Sequence, residues 1–340
     1  MKEVRNILTL LVIVLSSTVH GQSWTGQAYN FFKANDLESA QVAIDSAIKT
    51  VERHDPQTWQ LRGLIYRDVE KGDSLYNRQI AIESFIHARE IDTTHVYEAQ
   101  ITNYLKNTII RYYNNAVGLL QEDHNFDKAL EFYELYKERH KSLVDPTANF
   151  DERDIQFYIA LGIQYQNKAD IVPQKQKNEW RYKAIDAFDK ALEIDSMNFQ
   201  ANFNAGAAYY TIAVDYITGA ESEIDIDALV LSTKKAEEAF LKALPYLKRA
   251  EIIDPEHIDT KVAFMGCYYG LNNDKLYLKY QTILDEINLP TYLELYEQEP
   301  ENVENIKEII RIYRHTIPDE EKAKKFEDIL YKVLEEMNNK

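Results

Sequence analysis

From Trp24 almost to the end of the chain, apolar residues fall at helical spacing, in two alternating signatures. The first is a glycine with a tyrosine three residues on: Gly63 with Tyr66, Gly162 with Tyr165, and Gly206 with Tyr209. The second is a small residue, a large one four later and a small one three after that. It occurs as Ala40/Ile44/Ala47, Ala81/Phe85/Ala88, Ala184/Phe188/Ala191 and Ala243/Leu247/Ala250. Spacing i, i+4, i+7 sets all three side chains on one helical stripe, where alanines let a neighbouring backbone approach and the large residue fills the gap. Alternation of the two signatures predicts antiparallel helix pairs in series. Three second helices end alike, at Ala88 to Asp92, Ala191 to Asp195 and Ala250 to Asp254, where the aspartate, followed once by Pro255, suits a stop and turn.

Weaker copies complete the series. One pairs Tyr113, Val117 and Leu120 with Ala129, Tyr133 and Tyr136; another pairs Phe264 and Tyr268 with a loose second helix from Lys275 to Ile287. The last joins Val303 to His315 with an amphipathic helix from Pro318 to Glu336, and its charged outer face suits a terminal cap. The units fall near 24–53, 58–93, 97–142, 154–196, 199–255, 258–288 and 303–337, about seven in all. Extra residues within three units, 67–80, 166–183 and 210–242, predict elongated helices, with 168–183 as a flexible tip. Pro245 either opens a second helix or kinks a continuous one.

These residues resemble the tetratricopeptide repeat: Trp24 and Trp59 stand at the family's tryptophan position, and Trp59, Gly63 and Tyr66 reproduce its first-helix spacing. The resemblance implies an all-α fold, a right-handed α-solenoid of helix hairpins over residues 22–337, whose first helices line a concave groove for a protein or peptide. Its groove-facing positions correspond here to Tyr29 and Phe32, to Gln60, Leu64 and Arg67, to Ile163 and Gln166, to Phe203, Ala207 and Tyr210, and to Val262 and Tyr269. The lysines and asparagines with which relatives clamp a terminal carboxylate are replaced, for example by Tyr29, Leu64 and Phe203, so that activity is not implied.

Composition agrees with helices: only 10 glycines and 8 prolines interrupt 340 residues, too few turn formers for a sheet-rich fold. A net charge of −17 lacks the field that attracts a phosphate backbone, which argues against nucleic acid and for a neutral or basic partner. Oligomeric state is not legible. No glycine-rich phosphate loop, zinc-protease helix or nucleophile elbow is present, and the histidines at 54, 87, 95, 124, 140, 257 and 315 lack partners at helical spacing. No catalytic residue, metal site or cofactor is therefore assigned. Cys267, the only cysteine, reads as a small buried hydrophobe or, alternatively, as a reactive thiol. Two other readings stay open: a pocket for a small molecule, glycan or substrate closed by the elongated hairpins, and an architectural oligomer paired through its end helices.

Lys2 and Arg5, the apolar run Ile7 to Leu15, and the small residues before Gln22 match a cleaved export leader over residues 1–21. Nine helical residues rise only about 13 Å, short of a roughly 30 Å hydrocarbon core, which disfavours the alternative of an uncleaved anchor. The expected location is the periplasm or, alternatively, the extracellular space. Mass spectrometry of the exported protein is expected to find its N-terminus at or next to Gln22; a soluble cellular form beginning at Met1 would contradict export.

Overall fold

The computed structural model describes residues 23–69, 75–123, 125–220 and 225–338; the leader and His124 lie outside them. Fourteen α-helices and no strand occur among the described residues. In order they are α1 (Trp24–Lys33), α2 (Leu37–Ala47), α3 (Pro56–Val69), α4 (Leu75–Ile91), α5 (Glu98–Gly118), α6 (Phe126–Leu143) and α7 (Asp151–Ile171). They continue with α8 (Gln174–Ile194), α9 (Phe199–Ala220), α10 (Ile226–Ile253), α11 (Ile258–Gly270), α12 (Asp274–Gln298), α13 (Val303–Arg311) and α14 (Glu320–Asn338). The fold is all-α and is built from tetratricopeptide-like hairpins packed in series within each of two compact units. Of the described residues, one unit holds those from 23 to 118 with 127–148, and the other holds those from 119 to 126 and from 149 to 338.

Both units share one packing device. The large residue of each second signature sits over the glycine of the first: a Cβ added at Gly63 would lie 2.4 Å from the Phe85 ring, and one at Gly162 2.5 Å from Phe188. In the next hairpin the corresponding distance, from Gly206 to Leu247, is 2.8 Å. The missing side chain therefore lets the two helices of a hairpin close up until a fully buried ring or isobutyl group touches backbone. In the first hairpin, Ala28 stands where the others carry glycine, and it is buried like Ala40, Ile44 and Ala47.

In the first unit, aromatic contacts join α5 to α6, with Tyr112 against Phe132 and Tyr113 against Tyr133 and Tyr136. Arg62 of α3 ties neighbouring helices together: its Nε donates to Asp45 of α2 at 2.9 Å and its Nη1 to Ser84 of α4 at 2.9 Å. Its guanidinium also lies over the Tyr66 and Trp59 rings. The aspartates that end second helices act as turn acceptors: Asp92 takes Tyr97 N–H, Asp195 takes Met197 N–H and Asp254 takes Glu256 N–H.

In the second unit the elongated hairpins are helical almost to their tips. The segment 168–183, where the spacing predicts a flexible tip, instead completes α7 and opens α8, leaving only Val172 and Pro173 between them. Buried Arg181 accounts for this order, because it pairs with Asp215 of α9 and Asp170 of α7 and so holds three helices at that level. Pro245 lies inside a continuous α10 of 28 residues. Its ring is exposed, so the Leu241 carbonyl left without its helical donor can meet water.

The helix expected over 275–287 also runs further, through exposed Pro290 to Gln298. Its extra turns bring Leu289, Tyr292, Leu293 and Tyr296 into a C-terminal core with Ile306, Ile309, Phe326 and Val333 of α13 and α14. A bidentate ion pair fixes that core to the rest of the unit: Arg311 Nη1 and Nη2 donate to the two oxygens of buried Asp285 at 2.8 and 2.6 Å, and Thr316 Oγ1 donates to the same carboxylate at 2.6 Å.

The glycine seats make a two-sided forecast. Gly63→Ala should lower stability by about 1–3 kcal/mol, since Phe85 has nowhere to move. Gly219→Ala, in an exposed part of α9 with nothing within 4 Å of the added carbon, should be neutral or stabilise by about 0.5–1 kcal/mol. Urea titration of both variants followed by circular dichroism checks the contrast.

Candidate functional site

The residues implied as groove-lining divide by environment. In the first unit, Tyr29 and Phe32 are half-buried on α1, with Lys33 Nζ over the Tyr29 ring. On α3, Gln57 Nε2 donates to the Tyr97 hydroxyl just before α5, and the Arg67 carbonyl accepts from Arg111 of α5 at 2.7 Å. These contacts set the stripe holding Gln60, Leu64 and Arg67 against α5. Gln60 is accordingly 1% exposed, and neither end of its amide finds a partner. Leu64 is half-buried, and Arg67 pairs with its neighbour Asp68. Gln60 is thus enclosed and not offered to a ligand.

In the second unit, Ile163, Gln166, Phe203 and Tyr210 pack toward neighbouring helices. Ile163 packs on the cluster around Phe188, and Gln166 Nε2 reaches the Asn204 carbonyl of α9. Phe203 is parallel to Phe199, and both rings take the edge of His257, which caps α11. Tyr210 packs on Phe240 and on α11 at Gly266, where a Cβ would lie 2.5 Å from the tyrosine ring. Its partly sequestered hydroxyl is harder to ionise than usual, burial being the main cause.

Tyr269 is different. It is 72% exposed on α11 and touches Tyr277 of α12 at 5.6 Å between ring centres. Two and three turns earlier on the same side stand Val262, 42% exposed, and Ile258, 44% exposed, with half-buried Met265 between Val262 and Tyr269. The opposite side of α11 holds Thr260, Ala263, Phe264 and Cys267 in the core. This short helix is therefore apolar on both sides. The sequence pattern reached Val262 and Tyr269 but missed Ile258, Met265 and Tyr277. The available signal was the second apolar stripe at 258, 262, 265 and 269, opposite the one that packs.

The surroundings of this stripe are acidic. Residues 251–300 contain ten acidic and three basic side chains. Of the bases, Lys261 is buried and donates to the Pro255 carbonyl, Lys279 lies over the Tyr280 ring, and Lys275 is exposed. Glu256, Asp259, Asp274 and Glu286 are exposed. Cys267 lies beneath the stripe, and burial pushes its thiol up to about 12, so it stays protonated and packs as an apolar group.

Carboxylate–tyrosine pairs hold successive hairpins at fixed register. Tyr66 donates to Asp45, Tyr246 to Asp189 and Tyr280 to Glu251, at 2.5, 2.8 and 3.0 Å. Burial, reinforced by the carboxylate, pushes the Tyr66 hydroxyl up to about 12 and raises Tyr246 and Tyr280 as well. Burial also raises Asp189, against the opposing hydrogen bond from Tyr246.

No family model matches the chain, and no curated protein matches it. Among solved structures the chain is similar to Pseudomonas aeruginosa PilF, with 11% identity over 84% of this chain and 94% of that one and a TM-score of 0.29. It is also similar to human IFIT1 as a dimer with PPP-AAAA, with 14% identity over 92% of this chain and 72% of that one and a TM-score of 0.30. A monomeric IFIT1 mutant with Gppp-AAAA shows 10% identity over 93% and 82%, with a TM-score of 0.31. Likeness at this level transfers neither fold nor function, so what the chain does must be argued from its own residues.

The Asp189 pair has a pH signature. Because its folded pKa is raised, Asp189 favours the folded state below the ordinary carboxylate range, and that contribution is lost as pH rises through the folded value. Asp189→Asn keeps an oxygen for Tyr246 without the buried charge, so stability at pH 7 should be equal or higher. Tyr246→Phe should cost about 1 kcal/mol at pH 7. Denaturation of both variants between pH 4 and 7 measures this.

Proposed function

We propose that this protein is a non-enzymatic interaction scaffold that captures a neutral or basic peptide or protein on the solvent face of its first helices, with α11 as the working surface. The observation that carries this reading is the exposed row Ile258, Val262 and Tyr269 on a helix whose other side is already buried in the core. A helix that needs only one apolar face for folding and has two keeps the second for contact. Tyrosine suits such a row, because its ring buries area while its hydroxyl stays hydrogen-bonded. The acidic surroundings favour a neutral or basic partner over nucleic acid. Phe203 and Tyr210 support the surface by holding α9 and α11 together.

The proposed place of action is outside the cytoplasm, in a periplasm or extracellular space, after loss of the leader. Among the described residues no helix is long and apolar enough to cross a membrane. Benzoylphenylalanine placed at position 269 and irradiated in the producing cells should give a discrete cross-linked protein adduct. The same group at exposed position 231 on α10 should give none. Absence of an adduct at 269, or equal adducts at both positions, would remove α11 as the working surface.

A further inference from the structure

We infer that the open face of α11 receives an amphipathic helix with a basic flank, supplied by a different protein and seated where the next first helix of the series would otherwise pack. The inference rests on the scaffold reading above and adds the form and charge of the partner.

The argument begins with serial packing. Within the first unit α1 touches α3 and α3 touches α5; within the second α7 touches α9 and α9 touches α11. The next first helix, α13, docks instead on α12 and α14, because α12 continues through Pro290 and carries the C-terminal core away with it. Arg311 on Asp285 and Asn305 Nδ2 on the Tyr292 carbonyl fix α13 to α12. The face of α11 that a following first helix would cover is thus left to solvent, and Ile258, Val262, Met265 and Tyr269 mark it at spacings of four, three and four residues. A row at that spacing is complementary to another helix, whose own apolar row can lie along it over roughly 17 Å.

Charge selects the partner. A second copy of this chain would bring the same acidic surface to Glu256, Asp259 and Asp274, and like charges there oppose pairing. A helix with lysine or arginine beside its apolar row instead meets opposite charge, and of the three bases in residues 251–300 Lys261 is buried and Lys279 is engaged with Tyr280, which leaves exposed Lys275 against Glu256, Asp259 and Asp274.

The test uses the full chain and three synthetic 15-residue peptides: a leucine row at the same spacing with lysines elsewhere, its glutamate counterpart, and a lysine peptide with the row scrambled. By fluorescence anisotropy in about 0.15 M salt the first peptide should bind with a dissociation constant on the order of micromolar. Both others should bind at least about tenfold more weakly, as apolar register and charge each contribute. Val262→Asp with Tyr269→Asp, both at exposed sites, should weaken the first peptide about tenfold or more, while Leu231→Asp on α10 should not.

Equal binding of the scrambled peptide, or no effect of the paired substitution, overturns the inference. If Phe203→Ala abolishes binding and the α11 pair does not, capture lies on α9; the scaffold reading then survives and this one falls. Light scattering that shows dimers converted to monomers by Val262→Asp would make a second copy the occupant and also overturn it. Failure of all three peptides to bind at about millimolar concentration, together with no adduct at 269, removes both readings.

Discussion

Close approach of paired helices, with a bulky side chain seated on a glycine of the facing helix, is the constraint from which the rest of this protein follows. Phe85, Phe188 and Leu247 each occupy the space that a Cβ at Gly63, Gly162 or Gly206 would need. The contact works only if one helix supplies the absence and the other the volume, so it fixes both the pairing and the axial register of a hairpin. Between hairpins the same device returns with its parts exchanged: Tyr210 of α9 and Phe240 of α10 press on Gly266 and Gly270 of α11. Aromatic residues are abundant for this reason, and most are engaged in holding helices at fixed separation.

Polar contacts add specificity to that apolar framework. Arg62 with Asp45, Arg181 with Asp215, and Arg311 with Asp285 each connect the second helix of one hairpin to the first helix of the next. A half-buried charge is costly when its partner is removed, so such pairs disfavour alternative registers more than they strengthen the correct one. The tyrosine–carboxylate bonds act similarly at lower cost, because the neutral hydroxyl can satisfy a carboxylate without itself being charged.

The C-terminal region changes what the surface offers. Since α12 serves both as the second helix of one hairpin and, beyond Pro290, as a wall of the terminal core, the step that would cover α11 is displaced. A row of aliphatic and tyrosine side chains then faces water among acidic residues. The same row on an earlier first helix would be internal, as the enclosure of Gln60 beneath α5 illustrates. The open apolar face on which capture is proposed therefore follows from where serial packing is interrupted.

The helical class, the hairpin pairing and most of the buried stripes were legible in the sequence, because glycine, alanine and large residues at fixed spacing encode local contacts between elements adjacent in the chain. The exposure of Tyr269 and Val262 was legible too, through their place on a first helix. The enclosure of Gln60 and the packing roles of Phe203 and Tyr210 were not, since a helix dozens of residues away covers what a single helix would leave on its solvent side. Order at 168–183 was also hidden, because it depends on Arg181 meeting Asp170 on a neighbouring helix and Asp215 on the next hairpin. The passage of α12 through Pro290 was hidden for the same kind of reason: proline weakens a helix locally, and only the apolar contacts of Leu289, Tyr292, Leu293 and Tyr296 with distant α13 and α14 outweigh that loss. Periodicity thus determined which faces are apolar, and tertiary packing alone decided which of those faces remain open to a partner, because exposure is a property of what else arrives.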